Sequence, residues 1–578
     1  MPEIFDLSVE KRRLLDQDGH LLVLGGPGSG KTTIALLKAE KLITEGLGNH
    51  QKILFLSFAR ATISRVEEKA KGMLNPINKK WLEINTYHGF IWGLLRSHGY
   101  LINDSRLKLL TPPEAGAILA PFTNEDRDRE KLRLLNEDGL LHFDLFAHTC
   151  AQLLTRSEKL SSIICKKYPV IILDEFQDTN GDEWSFIQEL GKRSTLIALA
   201  DLEQRIYGFR GADPARVGQY IDVYAPEQFD FGNENHRSFG TDITRFGNDL
   251  LTGANRNNTY NNVRCIQYRY YNPPHIPLKT EVISRIRKLS VENRESWSLA
   301  ILVPTKNLMT TVSDFLSEEQ TFGNRRLPII GHDVLLEMAG PSLAAVLIAR
   351  LIGKESLHDG LVKNCLADLD AHIRGRGGNT APAQAKLQLS EAIRNYIETG
   401  NIRGKNRQLL IAEVTRIAEE VQEFRFSGIP GDDWILVRKL LQNSTSPEIK
   451  QVGEDARYLR LLRKGTVLNS GLSDLWRTNG SYNGASSLIS NALIQEHFSS
   501  TITTWKGVHV MTMHAAKGKE FDEVIIYEGP SRYRDKILRQ NANDRDTDQA
   551  KLALRVAVTR AMKNTTILTP SYDSCPLL

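Results

Sequence analysis

Apolar residues along this chain fall into two kinds of run. Short, nearly unbroken apolar segments recur at His20–Leu24, Lys52–Phe58, Tyr168–Asp174 and Ser194–Asp201, and again at Ser298–Pro304, Val508–His514, Glu523–Tyr527 and Thr565–Leu568. Runs of this length and content predict strands covered on both faces, the pattern of a parallel sheet. Between them the apolar positions return every three or four residues, as at Ile34, Leu36, Leu37 and Leu42, which predicts helices. The alternation breaks off twice. Residues 101–166 are charged and helical in pattern (Leu132, Leu134, Leu135, Leu153, Leu154, Leu160), and so are residues 353–500 (Leu410, Ile411, Val414, Ile417, Val421). The fold class is therefore α/β with two parallel-sheet domains, residues 1–100 with 167–240 and residues 241–352 with 501–578. Each carries an inserted, mainly helical subdomain, 101–166 and 353–500. Within the second insertion Arg374-Gly375-Arg376-Gly377-Gly378 reads as a solvated loop, and Thr252 to Asn262 as another.

The first strand runs into Gly25-Gly26-Pro27-Gly28-Ser29-Gly30-Lys31-Thr32-Thr33 and then a helix. Gly25 to Thr32 fits the G-x-x-x-x-G-K-[ST] phosphate loop. Glycines let the backbone curl around phosphate, the helix N-terminus adds positive charge, Lys31 suits the outer phosphates and Thr32 suits Mg²⁺. A second chemical group, Asp174-Glu175-Phe176-Gln177-Asp178, ends a hydrophobic strand. Asp174 suits Mg²⁺, whose octahedral shell takes few protein oxygens, and Glu175 suits a water attacking the terminal phosphate. The phosphate loop, Asp174 and Asp201 all fall at carboxyl ends of strands, where parallel sheets bind ligands.

Bulk numbers narrow this further. The sequence has 578 residues, 41% hydrophobic and 25% charged, with a net charge of +5. That is a globular composition with several domains, mildly basic and compatible with nucleic acid. The five cysteines, Cys150, Cys165, Cys265, Cys365 and Cys575, show no metal-ligand spacing. The stretch from Leu343 to Ile352 is broken by Arg350 and too short to span a bilayer. No membrane is expected, and a cytoplasmic location is.

Beyond the phosphate loop, seven segments in order resemble the UvrD/Rep/PcrA family of superfamily 1 DNA helicases. They are Ser57-Phe58-Ala59-Arg60-Ala61, Thr86-Tyr87-His88-Gly89-Phe90, Asp174 to Asp178, Gln204 to Ala212, Asn235-His236-Arg237-Ser238, Thr512 to Phe521 and Val556 to Ala561. The resemblance implies two RecA-like domains with ATP and Mg²⁺ between them. It implies that Gln204 senses the terminal phosphate and that Arg237 and Arg560 reach it from the second domain, while Glu520 serves the ribose. It implies single-stranded DNA crossing Phe58, Thr86, Tyr87, His88, Tyr207, Phe209, Arg210 and His514, with aromatic faces stacking on bases. Phe90 most easily reads as core packing. The implied activity is an ATP-dependent, DNA-stimulated helicase or single-strand translocase moving 3′ to 5′ on single-stranded or tailed double-stranded DNA. The rival reading is a nucleotide-gated DNA-binding subunit that switches a partner without walking.

Departures from the family pattern sharpen the expectations. Lys11 stands where a Gln reads the adenine edge, His236 where a Tyr packs on it, and Thr33 where an Arg follows the loop. Weak discrimination among ATP, GTP and CTP is expected, unless Gln17 supplies the missing contact. Lys519 and Arg555 add positive charge near the expected cleft or DNA track. The insertions are short for the family. Compact helicases of this kind accompany nucleases in anti-phage systems such as Gabija, which implies a motor subunit working with a separate nuclease or other protein partner.

Overall fold

A computed structural model describes residues 7–578 except 27, 59, 123, 202–212, 214, 233–237, 239, 293–295, 335–338, 355–357, 378–381, 459–466, 499–504, 532–533 and 541. Of the residues assigned from the sequence, Pro27, Gln204, Tyr207, Phe209, Arg210 and Arg237 lie outside the described residues. The chain divides into two compact units, one from Met1–Ile91, Cys150–Leu336 and Ser500–Leu578, the other from Trp92–Thr149 and Glu337–Ser499.

The first unit holds two six-stranded parallel sheets. One is built from β1 (Leu21–Leu24), β2 (Ile53–Ser57), β3 (Leu82–Thr86), β4 (Val170–Leu173), β5 (Thr195–Ala200) and β6 (Glu227–Asp230), in the order β3-β2-β4-β5-β1-β6. Its central strands are buried over most of their length (Leu21, Phe55, Ile172 and Leu199 are each fully inaccessible) and helix Lys31–Gly46 packs Ile34, Leu36 and Ala39 against it. The other comprises β7 (Val263–Tyr268), β8 (Ser298–Val303), β9 (His332–Val334), β10 (Gly507–Thr512), β11 (Phe521–Tyr527) and β12 (Ala561–Pro570), in the order β9-β10-β8-β11-β12-β7. We call these sheets and their covering helices the first and second lobes.

The second unit is mainly helical, with one large hydrophobic core. Its centre is helix Ala339–Gly353, buried on nearly every side, as a helix that is apolar all round must be. Helix Pro112–Leu119, from the earlier chain segment, packs on this helix and on His358–Gly375, and Arg374 donates to the Ala117 carbonyl. The two inserted segments thus pack into one compact unit, with Leu110, Ala115, Leu119 and Leu134 of the earlier segment forming a smaller cluster of their own. Their limits also differ from those drawn from the sequence. Helix Glu158–Lys167 and residues 150–157 belong with the first unit, and helix Ala339–Gly353 with the second. The Arg374 to Gly377 stretch is no solvated linker. Arg374 and Gly375 end a helix, Arg374 pairs with Asp370, and Arg376 makes a two-pronged pairing with Asp455 at 2.7 and 3.2 Å. Among the described residues no helix is long and apolar enough to cross a membrane.

Candidate nucleotide site between two lobes

β1 ends at Leu24 and the chain turns through Gly25 to Gly30 into helix Lys31–Gly46. Gly28 and Gly30 have φ of +80° and +93°, a region that favours glycine. A Cβ on Gly25 would come within 2.7 Å of Ser29 Oγ. The turn is therefore closed to side chains and leaves the helix N-terminus facing the cleft. Lys31 Nζ donates to the carbonyls of Gly25 (2.6 Å) and Gly26 (3.0 Å), which folds the ammonium back over the loop.

The acidic group comes from the end of β4. Ser57 Oγ, at the end of β2, donates to Asp174 Oδ2 at 3.0 Å. Burial, with Glu175 beside it, pushes the Asp174 carboxyl up to about 6. Glu175 takes a left-handed backbone conformation, φ +54°, strain of the kind active sites hold. Burial works against its charge too, but Lys517, Lys31, the hydrogen bond from Gln177 and Arg560 outweigh burial and keep it below the usual carboxylate range. Two neighbouring carboxyls thus differ because the cations beside Glu175 outweigh its burial while those beside Asp174 do not. Gln177 also accepts from the Asp201 backbone at 3.0 Å, tying the ends of β4 and β5 together.

The second lobe meets this edge with the amino ends of its strands. Glu520 immediately precedes β11 and Arg560 immediately precedes β12. Arg560 is almost fully buried, with Nε donating to Val556 O at 2.9 Å. Lys517 Nζ donates to Asp178 and lies 3.7 Å from Glu175 Oε2, and Arg65 pairs with Glu520. Gly28 to Thr33, Asp174, Glu175, Glu520 and Arg560 line one cleft of about 320 Å³, a volume suited to a small-molecule ligand. Thr32 and Asp174 offer it two hard oxygen donors. Among the described residues no group of three or more His, Cys, Asp or Glu could hold a metal. A cation here would draw most of its shell from water and phosphate, which is how Mg²⁺ binds.

The residues expected to touch DNA divide. Phe58 is half-buried, with its ring stacked on Tyr87 at 4.3 Å. Tyr87 itself is fully inaccessible, so it cannot stack on a base as the sequence reading expected; it supports Phe58 from behind. Thr86 accepts from Gly89 N at 2.9 Å and starts a helix, His88 lies 3.7 Å from Glu183, and His514 is exposed. Phe90 is core.

Other placements correct the sequence reading of the departures. Arg555 does not reach the cleft. It is fully buried and braces two helices by donating to Asn248 Oδ1 at 2.9 Å. Lys519 does lie beside the cleft, close enough to Arg65 and Arg560 to feel their charge. Gln17 is not on the cleft wall, and its side chain bonds Asp18 O. Sequence reasoning missed Thr62, Arg65, Val66 and Lys69, all of which line the cleft. Their spacing of three and four is the signal that could have found them, one face of helix Arg60–Met73 directly after β2.

The family model of the UvrD/REP helicase N-terminal domain matches residues 8–135 and 128–224, and that of the UvrD-like helicase C-terminal domain matches residues 384–572. A probable DNA helicase II homolog of Rickettsia conorii is 23% identical across 89% of this chain and 85% of its own length. The ATP-dependent DNA helicase PcrA of Staphylococcus aureus is 20% identical across 94% of this chain and 80% of its own. The crystal structure of Pif1 helicase from Candida albicans aligns with a TM-score of 0.28 at 13% identity, over 54% of this chain and 55% of that one, a likeness that carries no argument.

Proposed function

Because the chain belongs to the UvrD/REP family, and so is an ATP-dependent DNA helicase and a hydrolase, we propose that it moves 3′ to 5′ along single-stranded DNA by closing and opening the cleft between its lobes around ATP. The observation that supports this reading most is that Lys31 and Glu175 of the first lobe share one cleft with Glu520 and Arg560 of the second. Hydrolysis placed there depends on lobe position.

Each residue has separate work in this reading. The loop from Gly25 to Thr33 and the helix N-terminus hold the phosphates, with Lys31 on the outer oxygens. Mg²⁺, held by Thr32 and Asp174, neutralises phosphate charge when bound. Glu175 stays ionised beside Lys517 and orients the attacking water. Arg560, permanently charged and held by backbone acceptors, meets the charge that builds at the terminal phosphate. Gln204 and Arg237 take the companion roles that the family resemblance implies. Single-stranded DNA runs past Phe58, Thr86, His88 and His514, with Tyr207, Phe209 and Arg210 completing the track.

The 3′ to 5′ direction and a separate nuclease partner rest on the family resemblance and on the short insertions. Strand displacement on duplexes with a 3′ or a 5′ tail tests the direction, with only the 3′-tailed substrate expected to be opened. Efficient unwinding of long duplexes by the chain alone would count against the need for a partner.

A further inference from the structure

Of the cations on or beside the cleft wall, Lys31, Arg560 and Lys519 bond backbone carbonyls. Lys31 Nζ bonds Gly25 and Gly26, Arg560 Nε bonds Val556, and Lys519 Nζ bonds Ala515. Arg65 differs. Its Nη1 pairs with Glu520 of the second lobe, while its Nε is buried and finds no hydrogen-bond acceptor among the described residues. A charged donor in such a place is costly to leave unmade. Two further cleft-wall atoms, Ser29 Oγ and Thr62 Oγ1, are buried without a partner in the same sense. Thr62 lies one helical turn before Arg65 on the same face.

We propose that Arg65 is a nucleotide-binding residue that spans the lobes, committing one edge of its guanidinium to Glu520 and its spare donors to the phosphates of the nucleotide. The proposal rests on the reading of this cleft as the ATP site. Phosphate is favoured over base because Arg65 lines the same cleft wall as Ser29 and Lys31 of the phosphate loop and as Asp174 and Glu175. The planar guanidinium suits this double duty, since its five N–H donors form a rigid fork that can serve two oxygen acceptors at once. About a quarter of the side chain is exposed, so the group is reachable from the cleft. The consequence is that nucleotide affinity depends on a first-lobe residue whose orientation is set by the second lobe.

The test is fluorescence titration of the full chain with Mg²⁺ and mant-ATP, without DNA, alongside thermal unfolding. Arg65→Ala should raise the Kd by roughly tenfold to a hundredfold, the range for a hydrogen bond to a charged group. Arg65→Lys keeps a charge for Glu520 but loses the fork, so it should restore the melting temperature while the Kd stays raised by about tenfold. Lys31→Ala serves as the control for the site. If it loses binding while Arg65→Ala binds within about twofold of wild type, Arg65 is structural and the proposal falls alone. Full recovery of the Kd by Arg65→Lys would overturn it as well. If Lys31→Ala binds like wild type, the cleft is not the ATP site and both readings fall.

Discussion

Lys517 and Asp178 form a buried ion pair that joins the two lobes. Neither side chain is more than 3% exposed, and the same ammonium lies 3.7 Å from the Glu175 carboxylate. The residue that ties the lobes together therefore also helps keep Glu175 ionised. Losing one partner of such a pair strands a charge in low dielectric, which costs about 3–5 kcal/mol.

Lys517→Ala should accordingly lower the melting temperature and the ATPase rate together, because Asp178 loses its cation and Glu175 loses the first of the three that keep it ionised. The double variant Lys517→Met with Asp178→Leu should recover much of the stability, since a buried pair exchanged for apolar groups is often neutral. It should not recover ATPase, because Glu175 still lacks its neighbour. Thermal unfolding and steady-state hydrolysis on the same preparations separate the two effects.

A pH effect follows from Lys519. Burial, with Arg65 and Arg560 close by, lowers its ammonium to about 7. A free lysine titrates near ~10.4, so between these values the unfolded chain holds a proton that the folded chain lacks. Stability should rise with pH across that window, and the cost of charging Lys519 is complete below pH ~7. Lys519→Met should raise the melting temperature at neutral pH and flatten its rise toward pH ~10. Comparing the variant with wild type across the window removes the other titrating groups, and identical slopes would contradict the assignment.

Phe58 and Tyr87 should behave oppositely despite their stacked rings. Phe58→Ala should weaken single-stranded DNA binding by roughly tenfold, the lower part of the range for base stacking. Tyr87→Phe removes a buried hydroxyl that has no partner among the described residues. It should leave DNA affinity unchanged and stabilise the fold by up to about 1 kcal/mol. Fluorescence anisotropy with a labelled oligonucleotide, together with thermal unfolding, checks both.

Nucleotide selectivity should be weak. Lys11 is buried, 5.1 Å from the Phe231 ring centroid, and Gln17 is turned to Asp18 O. Neither lines the cleft. With neither Lys11 nor Gln17 committed to the base edge, discrimination against GTP and CTP should stay within about tenfold to a hundredfold. Turnover at equal concentrations of the three nucleotides measures it, and a far larger preference for ATP would contradict the expectation.

What was legible in the sequence, and what was not, follows from burial. The eight strands read from apolar runs are those with continuous apolar content, and the central strands of both sheets are all among them. Within the two six-stranded sheets the four strands not read, β3, β6, β7 and β9, are the edge strands. An edge strand is covered on fewer sides, so Glu227–Asp230 and Val263–Tyr268 alternate with polar residues and carry no run. The phosphate loop and the Asp174–Asp178 group were legible because their chemistry is contiguous. Arg65 was not, because its partner Glu520 is distant in sequence. The helical unit was misdivided for a similar reason. Helix Ala339–Gly353 looks like sheet-domain core because it is apolar all round, and its packing on Pro112–Leu119 joins segments that no local pattern connects.

The most direct test of the account is ATP hydrolysis by the full chain with and without single-stranded DNA, in wild type, Lys31→Ala, Glu175→Gln and Arg560→Ala. The account predicts DNA-stimulated turnover in wild type and a loss of about a hundredfold or more in every variant, Arg560→Ala included, because the second lobe supplies part of the site. Hydrolysis that proceeds at the wild-type rate in Arg560→Ala, or that ignores DNA, would contradict it.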